Sequence, residues 1–307
     1  MYQDLKAHIL LLHSMGFSTF LSFDWILKPE PELVLRNYRD LRDLNFIDDD
    51  YKLTQTGHFA TNLPIQPIWS GAIFLATEQF NCGEDMADLA AIFSVQKSIF
   101  TSPQGFLAAA SMAVLELGTH KSDHLFYLWV FQKYISITMA SNENMDQIPT
   151  LDEVVRLRLR LERRLAELPG WEFHPRNPFG SEGSLNIRKA LANAFHTQSA
   201  IHESLDVYRT VHDNCPALLH PICAQLNACH EWIVFGEFSQ GWQEKQYLEI
   251  VTVIEPEWIM LLPYFQDDRL RKNDDGEFEM GKVKASLDAA RGATSQEPAS
   301  KRRRLLS

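Results

Sequence analysis

The sequence predicts a mainly helical α+β protein of several domains: a winged-helix unit, a helical bundle, a small OB-fold β-barrel and a disordered C-terminal tail. Three observations lead there. Apolar residues recur at helical spacing up to about residue 185. Short alternating runs separated by turn residues follow, from about Asn186 to Gln266. From Asp267 onward the composition turns polar. The 307 residues leave room for two or three domains, each able to bury a core.

The first domain spans residues 1–62. After Pro29 and Pro31, Val34, Tyr38, Leu41 and Leu44 mark one helix. Asp48-Asp49-Asp50 is a turn, and Tyr51-Lys52-Leu53-Thr54 a short strand beyond it. Helices followed by a tight strand pair make a winged helix.

Residues 63–185 form the helical domain. Ile68 to Phe80 and Asp85 to Val95 are Ala-rich helices parted by the turn Asn81-Cys82-Gly83. His124 to Tyr134 is an aromatic-rich helix. The clearest helix is Leu151 to Leu168, with Thr150 as N-cap and Glu153 completing a capping box. Leu151, Val154, Val155, Leu161, Leu165 and Leu168 form its apolar face, and Pro169-Gly170 ends it. Arg156, Arg160, Arg163 and Arg164 stand on the other side.

Residues 186–266 open with a helix near Ile187 to Phe195. The strands Asp206 to Val211, Trp232 to Phe235 and Tyr247 to Ile254 then suit a small barrel such as an OB fold. Residues 267–307 are expected to be a disordered polar tail.

Composition narrows the chemistry. Hydrophobic residues make up 45% and charged residues 22%, a globular balance. No apolar run approaches the roughly 20 residues needed to span a bilayer, so no membrane partner is expected. The net charge of −11 argues against a strong autonomous nucleic-acid binder. The four cysteines read as free buried thiols in a reducing, intracellular compartment. Cys215, His220, Cys223, Cys229 and His230 lie close together in sequence, but their spacing matches no common zinc pattern, and no metal site is assigned.

One stretch imitates a nucleotide-binding loop. Gly276 to Val283 has the glycine and lysine spacing of a Walker A loop. Val283 lacks the metal-binding hydroxyl, Glu277 and Glu279 would repel phosphate, and no apolar strand precedes it. No Asp-Glu-x-His segment, nucleophile elbow or catalytic carboxylate pair is found, so no catalytic residue is assigned. Asp123-His124 reads as a helix-start acid beside a packed histidine.

The order winged helix, helical domain, small barrel resembles the C-terminal region of DEAH-box ATP-dependent RNA helicases. The matching stretches are collinear over about 260 residues. They include Leu11-Leu12-His13-Ser14-Met15-Gly16-Phe17, Phe23-Asp24-Trp25 before Pro29 and Pro31, Leu53-Thr54-Gln55-Thr56-Gly57 and Leu63-Pro64-Ile65-Gln66-Pro67. Asn81-Cys82, Ala90 to Gln96 and Ser122-Asp123-His124-Leu125 continue the series. Tyr208 to Val211, His220-Pro221, Glu231 to Phe235 and Val253 to Trp258 complete it in the barrel. The resemblance makes the helical domain a helicase-associated ratchet domain.

Departures stand beside the matches. Serine replaces glycine in Ser122-Asp123-His124, and Ala140 to Pro149 is polar where the family has a Trp-Cys pair. The glycine before the barrel's first aromatic is lost within Ala192-Asn193-Ala194-Phe195. Ile222 and Cys223 replace two serines, and Gln243-Glu244 and Glu249 replace polar or cationic residues suited to phosphate.

The resemblance implies an accessory module for RNA clamping and activator docking in RNA processing such as mRNA splicing. The family is an RNA helicase and ATPase. This chain, as a truncated piece or split subunit, lacks the motor that would hold ATP and Mg, and is expected to be inactive alone. The rival reading is a stand-alone, non-catalytic protein- or RNA-binding adaptor. Weak RNA contact is expected through Arg156, Arg160, Arg163, Arg164, Arg209 and Lys245, and a helicase motor or activator protein is the expected protein partner. Lys301, Arg302, Arg303 and Arg304 form a nuclear-signal candidate, which makes a nuclear location the expectation.

Overall fold

A computed structural model describes residues 4–17, 20–95, 99–100, 105, 109–110, 112–113, 121–140, 149–168, 171, 177–221, 223, 229–241, 245–273 and 275–296. The first unit holds α1 (Lys6–Ser14), α2 (Pro31–Asp43) and α3 (Gln55–Thr61). Its own core gathers Ile9, Leu10, Val34, Leu41, Phe46 and Ile47, all nearly inaccessible. Gly16 (φ 90°) ends α1 with its N–H on His13 O, and Phe17 N–H reaches Leu12 O. That left-handed stop suits glycine because it has no Cβ to clash.

The expected strand at Tyr51 to Thr54 is shorter than the sequence implies. One bridge, Ile47 to Leu53, joins the two sides. Asp48 Oδ1 accepts the N–H groups of Asp50 and Lys52 at 2.9 and 2.8 Å. Tyr51 turns left-handed at φ 62°, which ends the extended run. The side chain thus competes with the ladder for backbone donors.

Leu53 to Gly57 has a plain mechanical role. Thr54 Oγ1 accepts the Gly57 N–H at 3.1 Å, capping α3, and donates to Asn45 O at 2.6 Å. A Cβ on Gly57 would sit 2.1 Å from Phe46 O, so only glycine lets α3 approach the turn.

Among the described residues, α4 (Pro67–Phe80), α5 (Gly83–Ser94), α6 (Asp123–Ala140), α7 (Pro149–Ala166) and α8 (Ser181–Ala194) form a bundle. Asn81 caps α4 in the left-handed region (φ 50°), and Cys82 N–H returns to Ala76 O. Helix α7 begins at Pro149, so Thr150 lies in its first turn and does not cap it. Proline suits that place because first-turn N–H groups have no helical acceptor. The expected helix end at Pro169-Gly170 lies outside the described residues. Helix α8 crosses residue 185, where the sequence put a domain boundary, and its Ile187, Ala190 and Leu191 join the bundle core.

The barrel holds β1 (Ser199–Ser204), β2 (Val207–Thr210), β3 (Pro216–Leu219), β4 (Trp232–Gln240) and β5 (Gln246–Ile254). It closes in the order β1-β2-β3-β5-β4, with β3 and β5 parallel and the remaining pairs antiparallel. This is the closed five-strand barrel of an OB fold. Strand alternation divides it: Ile233, Phe235, Val251 and Val253 fill the interior, while Trp232, Val234 and Ile254 pack on the helical bundle.

The expected disordered tail from Asp267 is corrected for part of its length. Gly281–Gln296 form α9. Its Val283, Leu287 and Ala290 are 1%, 0% and 4% exposed and sit in the main core. Their spacing of four and three residues puts them on one face. Trp232 Nε1 donates to Ser286 Oγ at 2.9 Å, and Arg291 Nη2 to Phe265 O at 2.8 Å.

Candidate nucleic-acid interface

Helix α7 carries the cationic surface. Arg156, Arg160 and Arg163 recur at four and three residues, so they share a face with Arg164. All four are exposed, while Leu151, Val154, Leu161 and Leu165 on the other side are buried. Arg164 pairs with Glu167 at 3.2 Å. Among the described residues Arg156, Arg160 and Arg163 have no ion-pair partner. Arg158, between them in sequence, does a different job. Its Nε donates to Asp88 at 2.7 Å and its Nη atoms to Glu162, tying α7 to α5.

The barrel's two assigned cations differ from these. Arg209 on β2 is held by Glu203 at 2.8 Å and by Asn214 O at 3.1 Å. Lys245 is exposed at the tip of the β4–β5 hairpin, where its carbonyl accepts the Gly241 N–H. Lys301, Arg302, Arg303 and Arg304 lie outside the described residues, as do Gln243 and Glu244.

A cleft of about 1030 Å³ opens where the first unit, the bundle and the barrel meet. Leu10 and Leu11 of α1, Leu157 of α7, and Glu237, Glu249 and Ile250 of the hairpin line it. Glu237 and Glu249 are direct cross-strand neighbours. Burial, and then the charge of Glu249, push the Glu237 carboxyl above its ordinary pKa. Glu249 also accepts from the Ser239 hydroxyl. The departure noted at Glu249 thus puts negative charge on the barrel wall of this cleft.

Ser122-Asp123-His124 proves to be a docking joint. Ser122 bridges Thr252 of β5, with their hydroxyls 2.6 Å apart. His124 Nδ1 lies 2.8 Å from the same Thr252 hydroxyl, and Asp123 accepts the Val251 N–H at 2.8 Å. All three residues are buried, so the joint holds the start of α6 against the barrel away from solvent. Burial drives the His124 pKa down to about 3, leaving it neutral among Trp69, Phe93 and Phe195.

The Walker-like spacing resolves into other roles. Lys282 donates to His202 O at 2.5 Å, and Val283 packs in the core. Among the described residues no group of three His, Cys, Asp or Glu side chains is placed to hold a metal ion. Also among the described residues, no helix is long and apolar enough to cross a membrane.

Sequence spacing could not have found the cleft, because its wall comes from three separated parts of the chain. The one advance signal was the acid at Glu249.

Two comparisons with known proteins bear on this arrangement. A family model for the oligonucleotide/oligosaccharide-binding (OB) fold matches residues 187–263, which cover most of α8 and the barrel strands. The chain is similar to the pre-mRNA-splicing factor ATP-dependent RNA helicase prp22 of Schizosaccharomyces pombe, at 26% identity over 262 residues. That match covers 84% of this chain and 22% of the relative, so the chain spans about a fifth of the relative's length. Both findings support the resemblance to the C-terminal region of DEAH-box RNA helicases.

Proposed function

We propose that this chain acts as the C-terminal accessory module of a DEAH-box ATP-dependent RNA helicase. In this reading residues 1–62 are its winged helix, the bundle its ratchet domain and the barrel its OB fold. It clamps RNA and receives an activator protein, while a motor outside the sequence described binds ATP and Mg. The observation that carries the reading is the similarity to a helicase across 84% of the chain, which runs through all three structural units. The relative's name as a splicing factor points to mRNA splicing and a nuclear location for this chain.

RNA contact is assigned to the exposed arginine face of α7. Phosphate binding there is electrostatic and therefore salt-dependent. Binding of fluorescein-labelled oligouridylate should be measured against salt concentration for the full chain. A variant with Arg156, Arg160, Arg163 and Arg164 replaced by alanine should lose up to about 3 units of salt slope, at about 0.7 per single-strand phosphate contact. An unchanged slope would remove RNA from this face. The chain alone is expected to show no ATP turnover in a phosphate-release assay.

A second reading, a non-catalytic protein-binding adaptor, is favoured by the carboxylate wall at Glu237 and Glu249. Helicase motors recovered with the tagged chain would argue for the first reading. Their consistent absence, with other proteins recovered, would argue for the second.

A further inference from the structure

The cleft between the three units has a chemistry unlike that of the α7 arginine face. Its described lining includes three carboxylates, Asp4, Glu237 and Glu249, and no lysine, arginine or histidine. Asp4 is partnered by Lys6 at 3.2 Å. Among the described residues no cation stands within ion-pair distance of Glu237 or Glu249. The rest of the lining mixes apolar side chains, among them Leu11, Ile65 and Leu157, with the polar groups of Thr61, Gln66, Ser94 and Tyr127. Two like charges held opposite each other on adjacent strands destabilise a sheet unless something offsets them. Burial first, and the facing Glu249 charge second, raise the Glu237 pKa above its ordinary value.

A nucleic-acid strand fits this surface poorly, because each phosphate would add a negative charge facing the pair. A peptide that alternates basic and apolar side chains fits both features. Its guanidinium groups would meet Glu237 and Glu249 as charge-assisted, bidentate pairs. Its apolar residues would cover the leucine and isoleucine wall. The cleft, at about 1030 Å³, is at the upper end of the ~300–1,000 Å³ typical of ligand sites, enough for a short peptide segment.

We propose that this cleft is a docking site for a basic, leucine- or isoleucine-containing segment of a partner protein, held by Glu237 and Glu249. The site goes beyond the proposed RNA contact, which lies on the arginine face of α7. The two can therefore fail independently: substitutions on α7 test RNA contact, and substitutions on the hairpin test the docking site.

The experiment is fluorescence anisotropy of the full chain with a labelled peptide of alternating arginine and leucine at physiological salt. Glu237→Gln with Glu249→Gln is expected to weaken peptide binding at least tenfold. The double variant should fold, since it removes a like-charge pair, and a thermal melt checks this. A control, Asp206→Asn with Asp268→Asn, removes the same charge from exposed positions that do not line the cleft. It should change binding less than twofold. Equal losses in the two variants would mean only general attraction to an acidic protein and would overturn the proposal. Oligouridylate binding is expected to stay the same or tighten in the Glu237→Gln, Glu249→Gln variant. If it weakens, RNA is the occupant and the proposal fails. Tighter peptide binding on neutralising Lys301, Arg302, Arg303 and Arg304 would show that the chain's own basic run fills the cleft, which overturns a separate partner.

Discussion

Replacing Leu287 by alanine should release α9 from the barrel while the rest of the molecule stays folded. The helix covers sixteen residues, a length at which an isolated helix is only marginal in water. Its order must therefore come mainly from docking. Val283, Leu287 and Ala290 make the apolar contact, and Leu287 is fully buried. A buried leucine-to-alanine change costs about 2–5 kcal/mol, which includes the cavity left behind. At about 1.4 kcal/mol per factor of ten, amide protection in α9 should fall by a factor of about 30 to a few thousand. Hydrogen exchange read by mass spectrometry on peptides from 281–296 measures this directly. The indole N–H of Trp232, which donates to Ser286, gives a second signal in NMR and should lose its protection with the helix. The bundle amides in α4 and α5 should keep theirs. Unchanged exchange in α9, or equal loss throughout the chain, would refute the claim that α9 is a separately docked element.

Three further outcomes follow from the packing. Gly57→Ala should destabilise the chain by about 3 kcal/mol or more, seen as a fall in urea midpoint, because the added carbon lies 2.1 Å from Phe46 O. A normal midpoint would show that the first unit can open at that turn. Arg158→Ala should cost about 3 kcal/mol in the same assay, since Asp88, with a side chain 1% exposed, loses its guanidinium. A loss below about 1 kcal/mol would mean that its remaining partners suffice. Stability should also fall as pH drops from about 7 to 5. The folded-state pKa values of His124 and His196 are lowered by burial, so the unfolded chain binds protons that the folded chain refuses. Their contribution is complete above the ordinary histidine pKa of about 6.5 and is lost below it, approaching about 1.4 kcal/mol per pH unit for each group. Urea melts across that range check the sign. Raised carboxyl pKa values, as at Glu237, act the other way, and a flat profile would mean that they balance the histidines.

Much of the scaffold was legible in the residue pattern because it rests on local physics. The arginine face of α7 follows from helical spacing alone, and each of its four arginines is exposed. The turn at Asp48 follows from short polar side chains that bond their own backbone. Strands β4 and β5 announced themselves through branched and aromatic alternation, whereas β1 and β3 did not. β3 has four residues and begins at Pro216, too few to set up an alternation. Helix α9 was missed because only Val283, Leu287 and Ala290 face the core, amid charged and small residues. Three apolar positions in a polar segment look like a solvated tail until the barrel supplies the surface that buries them.

The candidate site divides in the same way. The sequence by itself determined the helical and barrel units, the family resemblance, the arginine face and the acid at Glu249. Each depends on residues near one another in the chain. Only the tertiary structure decided that Ser122, Asp123 and His124 join α6 to β5, with hydrogen bonds across about 130 residues of sequence. It also separated Arg158, which braces α5, from the exposed arginines beside it. Finally, it set Glu249 opposite Glu237 on the wall of a shared cleft. Burial and charge proximity are properties of the folded surface, so no spacing rule along the chain could have assigned them.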